Sequence, residues 1–271
     1  MTSKPASAEA ILAHVLKRMG WTARYKKGLL DGPEHLRLLE AVRSFCKAWL
    51  RHEAEQFARE YLGRKEPKRH VGDAEVEQVG RSLREQAGRF FKRMKSFVRE
   101  SIVAGAMALV GPRPLTGSEL QQAERQAQVQ DAYIDKFQAD MMRPYPFNPD
   151  ATITVVVSPP PLTPNQFIAR AESYGACVWG YAQDVARTTY VVDGVFDQER
   201  RVLDPDVKHC RQCPEYAGRG WVPIGSLPAI GAECDCHGMC RCSFEFRNGD
   251  DGEVFTAGRG PLDENAFGRT G

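Results

Sequence analysis

An imbalance of charge is the first thing this chain lacks. Its 37 Lys and Arg stand against 35 Asp and Glu, a formal net charge of +2 over 271 residues. Such a balance sets up no global field to draw the protein onto nucleic acid or an acidic membrane, so contacts of that kind would have to be local. Long apolar runs are missing as well. The longest, residues 102–110 (IVAGAMALV), is about half of the roughly 20 residues a spanning helix needs. The opening stretch, MTSKPASAEAILAHVLKRMG, has neither a long apolar segment nor a small-residue cleavage site, so no signal peptide is expected. No membrane contact is expected, and the protein should be soluble and made in a cytosol. Catalytic signatures are also scarce: there is no Gly-rich phosphate loop, no nucleophile elbow and no HExxH pattern. None of these motifs thus points to an enzymatic activity or a small-molecule substrate. No period of 20 to 50 residues recurs, which argues against a solenoid.

What is present suffices for a packed core, with 42% hydrophobic and 9% aromatic residues. The composition changes near residue 142. Before it, strong helix formers dominate; after it, proline, glycine, valine and cysteine do. Residues 7–19 suit a short helix. From Pro33, favoured in a first helical turn, Leu36, Leu39, Val42, Phe45, Trp49, Leu50, Phe57 and Tyr61 recur mostly three or four apart. Asp73 is placed to cap the next helix, on which Val76, Val79, Leu83, Ala87, Phe90, Met94 and Phe97 repeat the stripe until Gly111-Pro112. A third long segment opens at Thr116 or Ser118 and has a thin apolar face. Beyond it, residues 153–157 (ITVVV) read as a strand, Pro164 opens a helix to Arg187, and residues 189–192 and 201–203 read as short strands. The expected fold is α+β, a long helical N-terminal half followed by a small zinc-stapled α+β module. Its expected parts are a helical docking or bundle region over 1–143, a Pro-rich linker with a strand over 144–163, a zinc-binding module over 164–247 and a loose tail over 248–271.

Chemistry concentrates in one place. Six of the eight cysteines fall between 210 and 242, as Cys210-x2-Cys213 and, twenty residues on, Cys234-x-Cys236-His237-x2-Cys240-x-Cys242. Thiolate and imidazole are the ligands zinc prefers, and a structural site takes four of them. The intervening stretch is rich in Gly and Pro and has little periodicity, so it calls for such a staple. The candidate ligands are Cys210, Cys213, His237, Cys240 and Cys242, with Cys234 and Cys236 as spares or further members. A disulfide framework would require an oxidising compartment. A redox CxxC usually sits in a βαβ unit, which the pattern does not suggest. A catalytic zinc would need an open position and a base such as Glu233 or Asp235, whereas the surplus of soft ligands favours a closed site. Cys46 and Cys177 lie in apolar helical patterns and read as buried small hydrophobes.

Several of these residues together resemble the phage head morphogenesis family, the minor head proteins similar to the F protein of phage Mu. They are Ala169-Arg170-Ala171-Glu172 on the helix, Arg201-Val202-Leu203-Asp204 before the CxxC, Ala217-Gly218, Val222-Pro223-Ile224, and the closing His237-Gly238-Met239-Cys240-Arg241-Cys242. The likeness covers roughly residues 160 to 247. Ala171 replaces the usual threonine, Gly238 replaces the usual proline, and Cys234 and Cys236 are additions. The resemblance implies a non-catalytic virion protein of the head, made in the host cytoplasm and present in few copies. Its partners would be the portal and the major capsid protein, with packaged DNA as a further contact.

Two other readings stand beside it. A cytosolic zinc-ribbon-like nucleic-acid binder would want a basic face by the metal, yet Glu215, Glu233 and Asp235 offset Arg211, Arg219 and Arg241. A zinc hydrolase or fused toxin would want a further catalytic domain, for which too few residues follow Cys242. The basic segments 64–70 and 91–99 read as a solvated connector and the polar face of a helix. Arg170 and Glu172, two apart, should make separate structural contacts.

Overall fold

The computed structural model describes residues 7–62, 73–142, 162–192, 194, 196–230, 234–235, 240–250 and 252–256. The strand expected over 153–157 and the basic segment 64–70 lie outside them. Helix α1 (Ala8–Met19) starts where Ser7 accepts a hydrogen bond from the Ala10 N–H and stops at Gly20, whose φ of 71° suits a left-handed cap. A short α2 (Thr22–Lys26) leads to α3 (Gly32–Phe57). There Asp31 and Glu34 bond each other's backbone N–H reciprocally, with Pro33 in the first turn. A π-helical turn, Ala58–Leu62, extends α3. Then follow α4 (Asp73–Val110) and α5 (Gly117–Met142), the latter opened by reciprocal bonds between Thr116 and Glu119.

The ring contacts fix how these helices run. Going up α3, His35 meets the Ala108 carbonyl, Trp49 stacks on Phe97 at 3.8 Å and Phe57 meets Phe90 at 5.2 Å, so α3 and α4 are antiparallel. The pairs Phe91–Phe137, Lys95–Asp135 and Arg99–Asp131 make α4 and α5 antiparallel too. The basic residues of segment 91–99 are thus largely committed to carboxylates on neighbouring helices, Arg93 to Glu53 among them.

The span 164–247, drawn as one unit from sequence, divides its side chains between two cores. Helix α6 (Pro164–Ser173) sends Phe167 into the helical core, within 5.2 to 5.4 Å of Phe57, Phe90 and Phe137. A 3₁₀ turn, Tyr174–Cys177, then breaks the single helix expected from Pro164. Gly175 sits there against α3, where an added Cβ would lie 2.8 Å from the Lys47 backbone nitrogen. Helix α7 (Val178–Val192) follows, so residues 189–192 are helical rather than a strand. Tertiary packing overrides their β propensity: Tyr190 is buried against Phe196 and Phe246. Cys46 and Cys177 are buried in the helical core.

A small antiparallel sheet in the order β2-β1-β3-β4 completes the fold. Its strands are β1 (Gln198–Val202), β2 (Val222–Pro223), β3 (Ser243–Arg247) and β4 (Phe255–Thr256), and α8 (Gln212–Ala217) lies between β1 and β2. The strand expected over 201–203 is therefore the end of an earlier one. The start of the expected loose tail is likewise not loose, since β4 pairs Thr256 with Glu245 and Phe255 with Phe246. The second core comprises Tyr190, Phe196, Leu227, Ile230, Phe244 and Phe246 with Cys213, Cys234, Cys240 and Cys242. The chain is a helical body followed by a small α+β module with the Cys/His cluster, as its composition suggests. Among the described residues no helix is long and apolar enough to cross a membrane.

Two consequences for stability follow from the helical body. Gly105 marks a close approach of α4 to α7 and α3, where an added Cβ would lie 2.9 Å from both Ala182 Cβ and Leu39 Cδ1. Gly105→Val is expected to cost about 1–3 kcal/mol by overpacking, read as a shift in the urea unfolding midpoint. His35 is buried, with Nδ1 2.5 Å from the Ala108 carbonyl and no hydrogen-bond partner for Nε2 among the described residues. Burial lowers its pKa, outweighing the bond to Ala108, so the neutral ring with Nδ1–H donating is the folded form. The unfolded chain then takes up this proton first as pH falls. The stability His35 supports is full above about pH 6.5 and declines below it. His35→Gln is expected to flatten the loss of unfolding free energy between about pH 7.5 and 5.5; an unchanged slope would contradict this.

Candidate metal centre

The cluster is assembled from three segments. Cys210 precedes α8 and Cys213 lies in its first turn. Cys234 follows Ile230, which packs against Gly180 of α7 so closely that a Cβ there would be 2.7 Å from the Ile230 carbonyl oxygen. Cys240 and Cys242 lead into β3, and α7 holds that lead-in. The Cys242 carbonyl accepts from Trp179 Nε1 at 2.9 Å and Gln183 Nε2 at 3.3 Å, while Gln183 Oε1 accepts from the Phe244 N–H. Trp179, Gln183 and Arg187 are four apart and so form one stripe of α7.

Cys213, Cys234, Cys240 and Cys242 are at most 4% exposed. Cys213 Sγ lies 3.5 Å from Cys210 Sγ and 3.6 Å from Cys240 Sγ. A disulfide would hold them at about 2.05 Å, whereas tetrahedral thiolates about 2.3 Å from one ion stand about 3.8 Å apart. The spacing is that of a metal cradle. Two groups of donors each fall within 4.8 Å of one another: Cys210, Cys213 and Cys234, and His209, Cys213 and Cys242. The cluster can hold a metal ion.

Four of the five ligands expected from sequence, Cys210, Cys213, Cys240 and Cys242, are brought together. His237, like Cys236, lies outside the described residues. The geometry brings in Cys234, which the sequence offers as a spare or a further member, and His209, which sequence reasoning missed. His209 Nε2 is 2.7 Å from the Asp204 carbonyl, and Nδ1 is 3.9 Å from Cys242 Sγ. With Nε2–H donating to that carbonyl, Nδ1 keeps its lone pair facing the thiols, which is how a ligating histidine is usually set. Its adjacency to Cys210 was the signal available in the sequence.

Burial, first of all, pushes the Cys213 thiol far up, and the nearby Cys240 adds to it. For Cys240 the hydrogen bond with Cys234 pulls down, but the bond with Cys242 and burial outweigh it and bring the thiol to about 11. Without a metal these sulfurs hold their protons at neutral pH; ligation must displace them.

Arg241 ties the cluster to the helical body. It reaches Glu40 of α3 at 2.6 Å and Asp204 at 3.3 Å, and lies 4.7 Å from the Trp179 ring. The Ala169–Glu172 motif acts within the helical body instead. Arg170 bonds Asp140 of α5 at 2.9 Å, and Glu172 lies 3.3 Å from Lys47 and 3.8 Å from Arg51 on α3. These are separate structural contacts. A groove of about 420 Å³ beside His209 is lined by Arg43, Lys47, Lys208, Arg241 and Glu172. Arg43 pairs with Glu40, Lys47 with Glu172, and Arg241 with Glu40 and Asp204, so its lining is of mixed charge.

Compared with protein-family models, curated proteins and solved structures, the chain matches none of them.

Proposed function

We propose that this chain is a non-catalytic minor head protein of a tailed bacteriophage, acting inside the capsid at the portal vertex during head assembly. In this reading its C-terminal module is closed by structural zinc. The observation that carries it is the convergence of the resembling motifs. Cys210-x2-Cys213 and Cys240-Arg241-Cys242 lie far apart in sequence and meet in one buried cluster. Arg241 joins that module to the helical body, and the Ala169–Glu172 segment fastens α6 to α5 and α3 within that body. Arg201-Val202 and Val222-Pro223, two further parts of the motif set, lie on paired strands of the same module.

Zinc is favoured by the donors, which are thiolates and imidazole only, and by their burial, which suits a closed site. Cys210, Cys213, Cys234 and Cys240 would hold it, with His209 and Cys242 alongside. It would supply cross-linking to a module whose apolar core is small. The helical body, with its long antiparallel α3, α4 and α5, would be the docking part, and the portal or major capsid protein the partner. A nucleic-acid role is less favoured, because the cations beside the cluster are largely paired with carboxylates.

The test is particle composition. In a phage or prophage that encodes this chain, it should co-purify with procapsids and virions in few copies and cross-link to the portal ring. Its absence from purified particles would defeat the proposal.

A further inference from the structure

We propose that the cluster holds two metal ions rather than one, with the Cys213 and Cys240 thiolates bridging them. This rests on the reading of the cluster as a zinc site and concerns how many ions that site takes. Among the described residues six soft donors converge in it: His209, Cys210, Cys213, Cys234, Cys240 and Cys242. A single closed zinc site takes four. One ion would therefore leave two donors over, although four of the five sulfurs are buried and His209 is already oriented by Asp204. Two four-coordinate ions offer eight places, which six donors fill when two thiolates are shared.

The arrangement singles out which two. Cys213 is the member common to both donor groups, with Cys210 and Cys234 in one and His209 and Cys242 in the other. Cys240 is its neighbour at 3.6 Å and touches one sulfur from each side, Cys234 and Cys242. One ion would then have Cys210 and Cys234 as its terminal ligands, and the other His209 and Cys242. The charges agree. Five thiolates against two divalent ions leave a single negative charge, with Lys208 next to His209 in the chain. Each thiol gives up its proton to solvent as its sulfur binds.

The experiment is a metal count on the full wild-type chain produced with zinc, by elemental analysis and native mass spectrometry. Two zinc ions per chain are expected. A ratio of one overturns the binuclear site while leaving a single-ion staple, and a ratio of zero overturns the zinc reading itself. Cadmium-113 replacement then tests the bridge. Two cadmium resonances are expected, each correlating with the β-protons of both Cys213 and Cys240; two resonances that share no cysteine would overturn bridging. His209→Ala should lower the count from two to one with the helical circular dichroism retained, and a count still at two would remove His209 from the site.

Discussion

Stripping metal from the purified protein with a strong chelator is expected to unfold the small sheet while leaving most of the helical signal in place. The two cores differ in what supports them. The helical core runs from Ala8 to Ala186 and contains the ring cluster of Phe57, Phe90, Phe91, Phe137 and Phe167. The second core has few apolar side chains besides its cysteines, and β2 and β4 are two residues each. Small modules of this kind commonly depend on the metal, whose binding supplies on the order of 10–16 kcal/mol in zinc-finger peptides. Near-ultraviolet dichroism is the sensitive probe, because Trp179 bonds the Cys242 carbonyl and Trp221 lies against Arg200 and Arg247 of the sheet. That signal should collapse on chelation and in Cys213→Ser, while the helical band at 222 nm falls only slightly. Metal-free protein with an unaltered near-ultraviolet spectrum would show that no staple is needed.

The same site should weaken with acid. Burial raises the Cys213 thiol above its ordinary value, and Cys240 lies at about 11, so ligation releases protons throughout the neutral range. For each proton released, the apparent dissociation constant rises about tenfold per unit fall in pH. Chelator competition at two pH values reads this directly.

How far the sequence could be read depended on the range of the forces involved. The starts of α3 and α5 were legible because their signals are local, Pro33 in the first turn of α3 and Thr116 three residues before Glu119 in α5. Their apolar stripes were legible for the same local reason. The end of α7 was not, since its Thr, Tyr and Val residues favour strands, a preference overridden where Tyr190 packs on Phe196 and Phe246. Nor was the break at Gly175, which depends on a backbone of α3 more than a hundred residues earlier. At the site, the spacing of Cys210 and Cys213 announced a metal. His209 was passed over because the two-residue gap before Cys240 drew attention to His237. What brings His209 to the cluster is the fold of the Asp204 carbonyl onto it, a contact without periodicity. The role of Arg241 was equally hidden, because its partner Glu40 lies 201 residues away.

The largest single-residue loss outside the cluster is expected at Arg187. Its Nε and Nη2 each lie 2.6 Å from a carboxylate oxygen of Glu199, which is fully buried on β1. Nη2 also reaches the Leu227 carbonyl at 2.9 Å, and Glu199 accepts from the Leu227 N–H at 2.9 Å. The guanidinium lies 4.6 Å from the centre of the Phe244 ring. One pair thus fastens α7, β1 and the loop at Leu227 together, and the bidentate geometry satisfies charges taken out of water. Arg187→Met keeps the stem but leaves the carboxylate buried and unpaired, which costs about 3–5 kcal/mol. Replacing both, Arg187→Met with Glu199→Leu, removes that uncompensated charge and should recover much of the loss. Urea unfolding of the two variants and the wild type checks the order. If the single variant is as stable as the double, the penalty does not come from a stranded Glu199. Metal content separates this joint from the cluster: Arg187→Met should bind as much zinc as the wild type under native conditions, because Arg187 reaches the module through Glu199 and Leu227, whereas Trp179 and Gln183 hold Cys242.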